Sequence, residues 1–189
     1  MMRNLLGAAS LAAVAAAGYR LVVSGQLTLD TGIGRQVRPL GPLTMTIAAD
    51  ANLVFDVIAS PYLGRTPRAL KGEIDVLERS ADMVLAAHRT PVGGGRVATT
   101  VETVRFERPR TVAFRLVRGP VPHVVERFTL DAEDGGTRLE YTGELGTDFW
   151  AAGRLWGDVV ARNWEAAVQG SLERIRVEAE RLSARRTGR

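Results

Sequence analysis

The chain has 189 residues, 46% hydrophobic and 24% charged, with a net charge of +4. That balance fits one globular domain plus an appendage and excludes wholesale disorder. The absence of cysteine removes disulfides, thiol nucleophiles and thiolate metal sites. The basic residues are almost all Arg, dispersed among 21 acids, which excludes a nucleic-acid-binding face.

Residues 1–25 differ from everything after them. Arg3 precedes an Ala-dominated apolar run over residues 5–19, followed by Arg20 and a short apolar piece over residues 21–23. Residues 5–23 have about the length of a bilayer span, so a single-pass membrane anchor is expected, with Arg20 snorkelling from near one end. A cleaved secretory signal is an alternative, since Ala15-Ala16-Ala17 resembles a small-residue cleavage site and would make the protein secreted. A peripheral Ala-rich helix is the third reading, because Ala drives insertion weakly. Arg20, Arg35 and Arg38 follow the run and favour a cytoplasmic domain by the positive-inside rule, although Arg3 leaves the side open. Residues 26–42, rich in Gly and Pro without a sustained period, read as a linker, and residues 43–186 as the folded domain.

The domain opens with a strand over residues 43–48, where Leu43, Met45 and Ile47 alternate with Thr. Asp50 caps a short helix over residues 51–59, which Pro61 ends. Residues 62–71 read as a loop or second short helix, broken by Gly64 and Pro67. Strands are predicted over residues 73–78, 82–89, 96–108, 111–118, 123–132 and 137–146, the last two joined at Asp134-Gly135-Gly136. A long helix then runs to residue 186, capped at Thr147 or Asp148. Its apolar stripe is Trp156, Val160, Trp164, Ala167, Ser171, Ile175, Ala179 and Leu182. A continuous helix from residue 148 would span roughly 55 Å, longer than the domain, so a break near Gly153 and Gly157 or a projecting tail is expected. Seven strands and one long helix make an antiparallel α+β fold with a cavity between sheet and helix.

This order, with Ile47-Ala48-Ala49-Asp50 running into Val54-Phe55-Asp56-Val57-Ile58, resembles the SRPBCC superfamily, also called START-like. The stretches Glu107-Arg108-Pro109-Arg110-Thr111-Val112-Ala113-Phe114 and Gly135-Gly136-Thr137-Arg138-Leu139-Glu140-Tyr141 carry it further. The resemblance implies a helix-grip fold: a seven-stranded curved antiparallel sheet wrapped around a long C-terminal helix, here with an added N-terminal hydrophobic helix. It implies binding or carriage of an apolar small molecule or lipid, or alternatively a cyclase or aromatase acting on a polyketide-like substrate. Superfamily members share a cavity and not a reaction.

Alternation assigns the inward positions. The expected cavity set is Val84, Ala86, Val104, Phe106, Val112, Phe114, Leu116, Phe128 and Tyr141 from the sheet, with Trp156, Val160 and Trp164 from the helix. The same parity carries Glu102, Glu126 and His88 inside. With Tyr141 they are the candidate acid/base groups, since a carboxylate in an apolar pocket has a raised pKa. Pairing with an Arg, or a bulge that flips parity, is the structural alternative. A third reading is an interaction module whose cavity is filled by Trp156 and Trp164. His88 and His123 lack the spaced partners of a metal site, Gly93-Gly94-Gly95-Arg96 lacks the ending of a phosphate loop, and no nucleophile elbow occurs. No metal and no cofactor is expected. The expected partners are an apolar small molecule or lipid, and a membrane through residues 5–23.

Overall fold

The computed structural model describes residues 13–14, 16–64, 73–93 and 95–187. Seven strands form one antiparallel sheet: β1 (Gln36–Ile47), β2 (Ile74–Arg79), β3 (Met83–Pro91), β4 (Val97–Glu107), β5 (Thr111–Arg118), β6 (His123–Glu133) and β7 (Gly136–Thr147). The spatial order is β1-β7-β6-β5-β4-β3-β2, so all strands after β1 form a meander and β7 closes back onto β1. Helix α1 (Ala51–Leu63) lies between β1 and β2, and helix α2 (Trp150–Thr187) follows β7. This is the helix-grip arrangement: a curved sheet folded around one long terminal helix.

Helix α1 starts where Asp50 accepts from the Asn52 N–H at 2.9 Å. It continues past the expected stop at Pro61 to Leu63. Pro61 has no N–H for the Val57 carbonyl, and the Ser60 hydroxyl takes that acceptor instead at 3.1 Å. Leu53, Val54, Phe55 and Ile58 bury against one half of the sheet. Burial of each such side chain contributes about 1.5–3 kcal/mol.

Strand β1 begins at Gln36, not at residue 43, so residues 36–42 belong to the sheet and not to a linker. A register shift between Leu40 and Leu43 interrupts the alternation there. Residues 24–35 are not a free linker either. Thr28 Oγ1 bridges the Gly119 carbonyl and N–H at 2.8 and 3.0 Å. The Asp148 carboxylate accepts from the Thr31 and Gly32 N–H groups at 2.7 and 2.8 Å and from Arg35 Nε at 2.7 Å. Asp148 is therefore not the cap of α2; its carboxylate ties down the preceding strap.

Helix α2 runs unbroken for 38 residues, about 57 Å. The expected break at Gly153 and Gly157 is absent. A Cβ at Gly153 would fall 1.6 Å from the Asp148 carbonyl, and one at Gly157 3.2 Å from Thr147, so these glycines let the helix start pass close to β7. The apolar surface of α2 forms two adjacent seams. Ala161, Leu172 and Ala179, all fully buried, pack in the core. The predicted stripe, from Trp156 and Val160 to Ile175 and Leu182, faces a cavity, except for Ala179, which belongs to the core seam.

Residues 16–23 are helical, and Val23 is buried against the domain. Among the described residues no helix is long and apolar enough to cross a membrane. Residues 5–12 and Ala15 of the expected anchor lie outside the described residues, as do residues 65–72 of the expected loop or second helix.

Candidate functional site

A cavity of about 800 Å³ lies between the sheet, α1 and α2, a volume suited to a small organic ligand. Its apolar wall includes Leu53, Ile58, Phe114, Phe128, Val160 and Val168. It exists because α1 fills only one half of the concave sheet and α2 packs over the β1–β7 edge. Between them His88, Glu102, Phe114, Glu126 and Phe128, inward residues of β3 to β6, are left to line the cavity.

Two polar clusters interrupt the wall. The first is centred on Glu126 of β6, which faces Gly143 of β7 across the ladder. A Cβ at Gly143 would sit 2.7 Å from the Glu126 Cβ and 2.9 Å from the Val125 carbonyl, so the missing side chain gives the carboxylate its room. Glu126 Oε2 accepts from the Tyr141 hydroxyl at 2.5 Å and from the Trp164 indole N–H at 2.7 Å. Oε1 has no hydrogen-bond donor among the described residues, and Glu126 lines the cavity. Burial, reinforced by repulsion from Glu102, raises the Glu126 carboxyl from its ordinary value to about 7, against the pull of the two donors. Burial and the neighbouring carboxylate push the Tyr141 hydroxyl far upward, so it stays a donor.

The second cluster is a chain of three groups. The Tyr62 hydroxyl, from the last turn of α1, lies 2.9 Å from His88 Nε2. On the other side of the ring, His88 Nδ1 lies 3.2 Å from Glu102 Oε2, an ion-pair distance off the line of an ideal N–H bond. Burial opposes ionisation of both partners, and their mutual attraction overrides it: the His88 pKa rises and the Glu102 pKa falls. Thr100 adds a hydrogen bond to Glu102. Burial and the two carboxylates hold the Tyr62 hydroxyl protonated. Of the two buried carboxyls, the one beside histidine is thus the anion, and the one beside tyrosine and tryptophan titrates near neutrality.

An aromatic row joins the clusters. Tyr62 and His88 lie with ring centroids 6.2 and 6.4 Å from Phe114, Phe114 lies 5.7 Å from Phe128, and Phe128 lies 5.7 Å from Tyr141. Near the start of α2, Tyr19 of the 16–23 helix packs edge-on to Trp156 at 5.9 Å, and the Arg96 guanidinium sits 5.4 Å above the Tyr19 ring. The Trp156 indole N–H donates to the Pro120 carbonyl at 2.9 Å.

His88, Glu102, Glu126, Phe114, Phe128, Trp156, Val160 and Trp164 all stand on the cavity wall. Tyr141 reaches the site through Glu126. Val84, Ala86, Val104, Phe106, Val112 and Leu116 point inward but belong to the packed core, off the wall. Parity gives the face of the sheet and not the position along it. Phe106, for example, packs against Phe55 and Tyr62 at 6.5 and 5.9 Å, covered by α1. The wall also takes residues outside the expected set, among them Leu53, Ile58 and Val168, with Tyr62, read as loop or second short helix, and Tyr19 and Val23, read as membrane anchor. His123 pairs with Glu144 at 2.8 Å, away from the cavity. Among the described residues no group of three or more His, Asp or Glu is placed to hold a metal ion. Chemically, the site offers a carboxyl that can donate or accept a hydrogen bond near pH 7, beside a tyrosine–histidine–carboxylate chain able to pass a proton.

Residues 43–180 match the family model for polyketide cyclase/dehydrase and lipid transport proteins. Among solved structures, the chain is similar to the Zhui aromatase/cyclase from Streptomyces sp. R1128, with TM-score 0.64 and 18% identity over 77% of this chain and 95% of that one. It is also similar to a START superfamily protein from Mycobacterium smegmatis, with TM-score 0.51 and 13% identity over 78% and 98% of the two chains. A third likeness is to TTHA0849 from Thermus thermophilus, with TM-score 0.54 and 14% identity over 74% and 97%. At these identities the likeness concerns the fold alone. A search of curated proteins finds no match.

Proposed function

The chain belongs to the polyketide cyclase/dehydrase and lipid transport family, and from that premise we propose that it binds and carries an apolar small molecule or lipid between its sheet and α2. The observation that carries this reading is the cavity of about 800 Å³, which Trp156 and Trp164 line without filling. Its apolar wall favours hydrocarbon or ring surface, at about 25 cal/mol for each Å² removed from water. Its two polar clusters favour a ligand with a hydroxyl or carbonyl for Glu126 and Tyr62 to meet. Residues 5–23 tether the carrier beside a bilayer, where such ligands partition; the support for the tether is the length and apolar character of that run. To test the carrier reading, the purified full chain is extracted with organic solvent and the extract examined by mass spectrometry. A stoichiometric apolar molecule is expected. Empty protein that also fails to bind an apolar fluorescent probe contradicts it.

The second reading is an acid–base enzyme, favoured by the Tyr62–His88–Glu102 chain and by the divided ionisation of the two glutamates. A poly-β-ketone closes a ring when a base removes a proton between two carbonyls and an acid protonates the carbonyl attacked; loss of water follows. The test is turnover of such a compound. His88→Gln and Glu126→Gln are expected to slow it by about 10²-fold or more. Turnover equal to the uncatalysed rate removes this reading and leaves the carrier.

A further inference from the structure

Large apolar side chains gather at one end of the molecule while remaining exposed, from 40% for Leu27 to 72% for Leu155, with Leu29, Ile33, Phe149 and Trp150 between them. The sheet register places them together. Thr147 pairs with Gln36 and Arg118 with Val101, so the start of β1, the ends of β5 and β7 and the start of α2 share this end. The strap is bonded to it. The Phe149 and Trp150 N–H groups donate to the Ile33 and Gly34 carbonyls at 2.8 and 3.0 Å. Thr28, held by Gly119, sets Leu27 and Leu29 beside the β5–β6 link.

Phe149 and Trp150 have φ values of 71° and 49°, a left-handed conformation that bulky residues rarely adopt. Two consecutive strained residues that present aromatic rings to water are characteristic of a functional surface. Interfacial aromatics with nearby cations match a lipid headgroup layer. Arg20, Arg118 and Arg154 are exposed at this end and form no ion pair with any described carboxylate. The nearby acids are already taken: Asp148 and Asp30 by Arg35, Asp158 by Arg38. Tyr19, Val23 and Trp156 of the cavity lining stand at the same end. Here too the helix of residues 16–23 packs, with Tyr19 against Trp156 and Val23 buried.

We propose that this end of the folded domain docks directly onto an anionic lipid bilayer, with Phe149, Trp150 and Leu155 immersed and the cavity lining around Tyr19 and Trp156 nearest the membrane. Its immersed residues lie outside the apolar run of residues 5–23, of which Tyr19, Arg20 and Val23 stand beside them, and it does not depend on what occupies the cavity. Its chemistry calls for phospholipids of net negative charge.

The chain has no cysteine, so single spin labels at Leu155→Cys and, as control, Val177→Cys can be read in the full chain on phosphatidylcholine vesicles containing phosphatidylglycerol. Leu155 is 72% and Val177 53% exposed, so neither label disturbs the core. On vesicle-bound protein the label at 155 should collide with oxygen more than with a water-soluble nickel chelate, and the label at 177 the reverse. A label at 155 that stays open to the nickel chelate on bound protein overturns the proposal. So does a label at 155 shielded without vesicles in a dimer or with a protein partner. Arg118→Gln and Arg154→Gln should each weaken binding to the anionic vesicles about fivefold, leaving binding to phosphatidylcholine alone unchanged; unchanged affinity on both overturns the charge preference.

Discussion

The Tyr141 hydroxyl lies 2.5 Å from Glu126 Oε2, on a diagonal of the β6–β7 ladder opened by Gly143, which faces Glu126 directly. The Trp164 N–H converges on the same oxygen from α2, so one carboxyl links two strands to the terminal helix. Its other oxygen is left for whatever enters the cavity.

Glu126 is raised from 4.5 to about 7 in the folded protein. Between those values the folded state holds a proton that the unfolded state has released. The contribution of this group is therefore complete below about pH 4.5 and is lost as pH rises through 7, by up to about 3 kcal/mol. Glu126→Gln lacks this loss, while its amide oxygen can still accept from Tyr141 and Trp164. Denaturant unfolding at pH 5 and pH 8 should show the variant gaining on the wild type at the higher pH. An equal difference at both pH values contradicts the assignment.

Gly143→Ala places a methyl 2.7 Å from the Glu126 Cβ and 2.9 Å from the Val125 carbonyl. Neither can yield without moving the ladder, so stability should fall by about 1–3 kcal/mol. The lost Glu126 contacts should also appear as a changed Trp164 environment in the near-ultraviolet circular dichroism. An unaltered spectrum and unfolding midpoint would show that the site has more slack than its geometry indicates.

Asp148→Ala removes the acceptor for two strap N–H groups and for Arg35. The Asp148 side chain is only 1% exposed. Loss of these charge-assisted bonds should lower stability by about 2–4 kcal/mol. It should also speed tryptic cleavage at Arg35 while the sheet stays intact. The neighbouring Arg35 holds the Asp148 pKa far below the ordinary carboxylate value, so the clasp should persist until strongly acid pH. Cleavage at the wild-type rate would show that Asp148 does not hold the strap.

Tyr62→Phe keeps the ring against Phe106 and Phe114 but strips the partner from His88 Nε2. A buried nitrogen without a partner costs about 1–3 kcal/mol. The loss should be visible in the unfolding midpoint and as a shifted His88 titration by nuclear magnetic resonance. No change in either would remove the three-membered chain.

Much of the sheet was legible because its signal is local. Alternation in β4, β6 and β7 put Glu102, Glu126 and Tyr141 on the inner face, and the structure buries all three. The resemblance carried the topology. What stayed hidden depends on partners distant in sequence or on a broken period. Tyr62 was missed because Pro61 looked like a stop, whereas α1 runs on through it to Leu63, with the Ser60 hydroxyl on the Val57 carbonyl. The start of β1 was missed because the shift between Leu40 and Leu43 breaks the period. The strap has no period at all; its order comes from Asp148, more than a hundred residues away. Gly153 and Gly157 looked like a break in α2 because their reason, the passage past Asp148 and Thr147, lies outside the helix.

The central claim, that the cavity takes an apolar ligand, is tested most directly by titrating an environment-sensitive apolar fluorophore into the full chain and into Ala167→Trp. Ala167 faces the cavity from α2, and an indole there occupies the space with little demand on the sheet. The account predicts saturable binding to the wild type, displaced by the extracted natural ligand, and at least about tenfold weaker binding to the folded variant. Equal binding to both proteins, or none to the wild type, would contradict it.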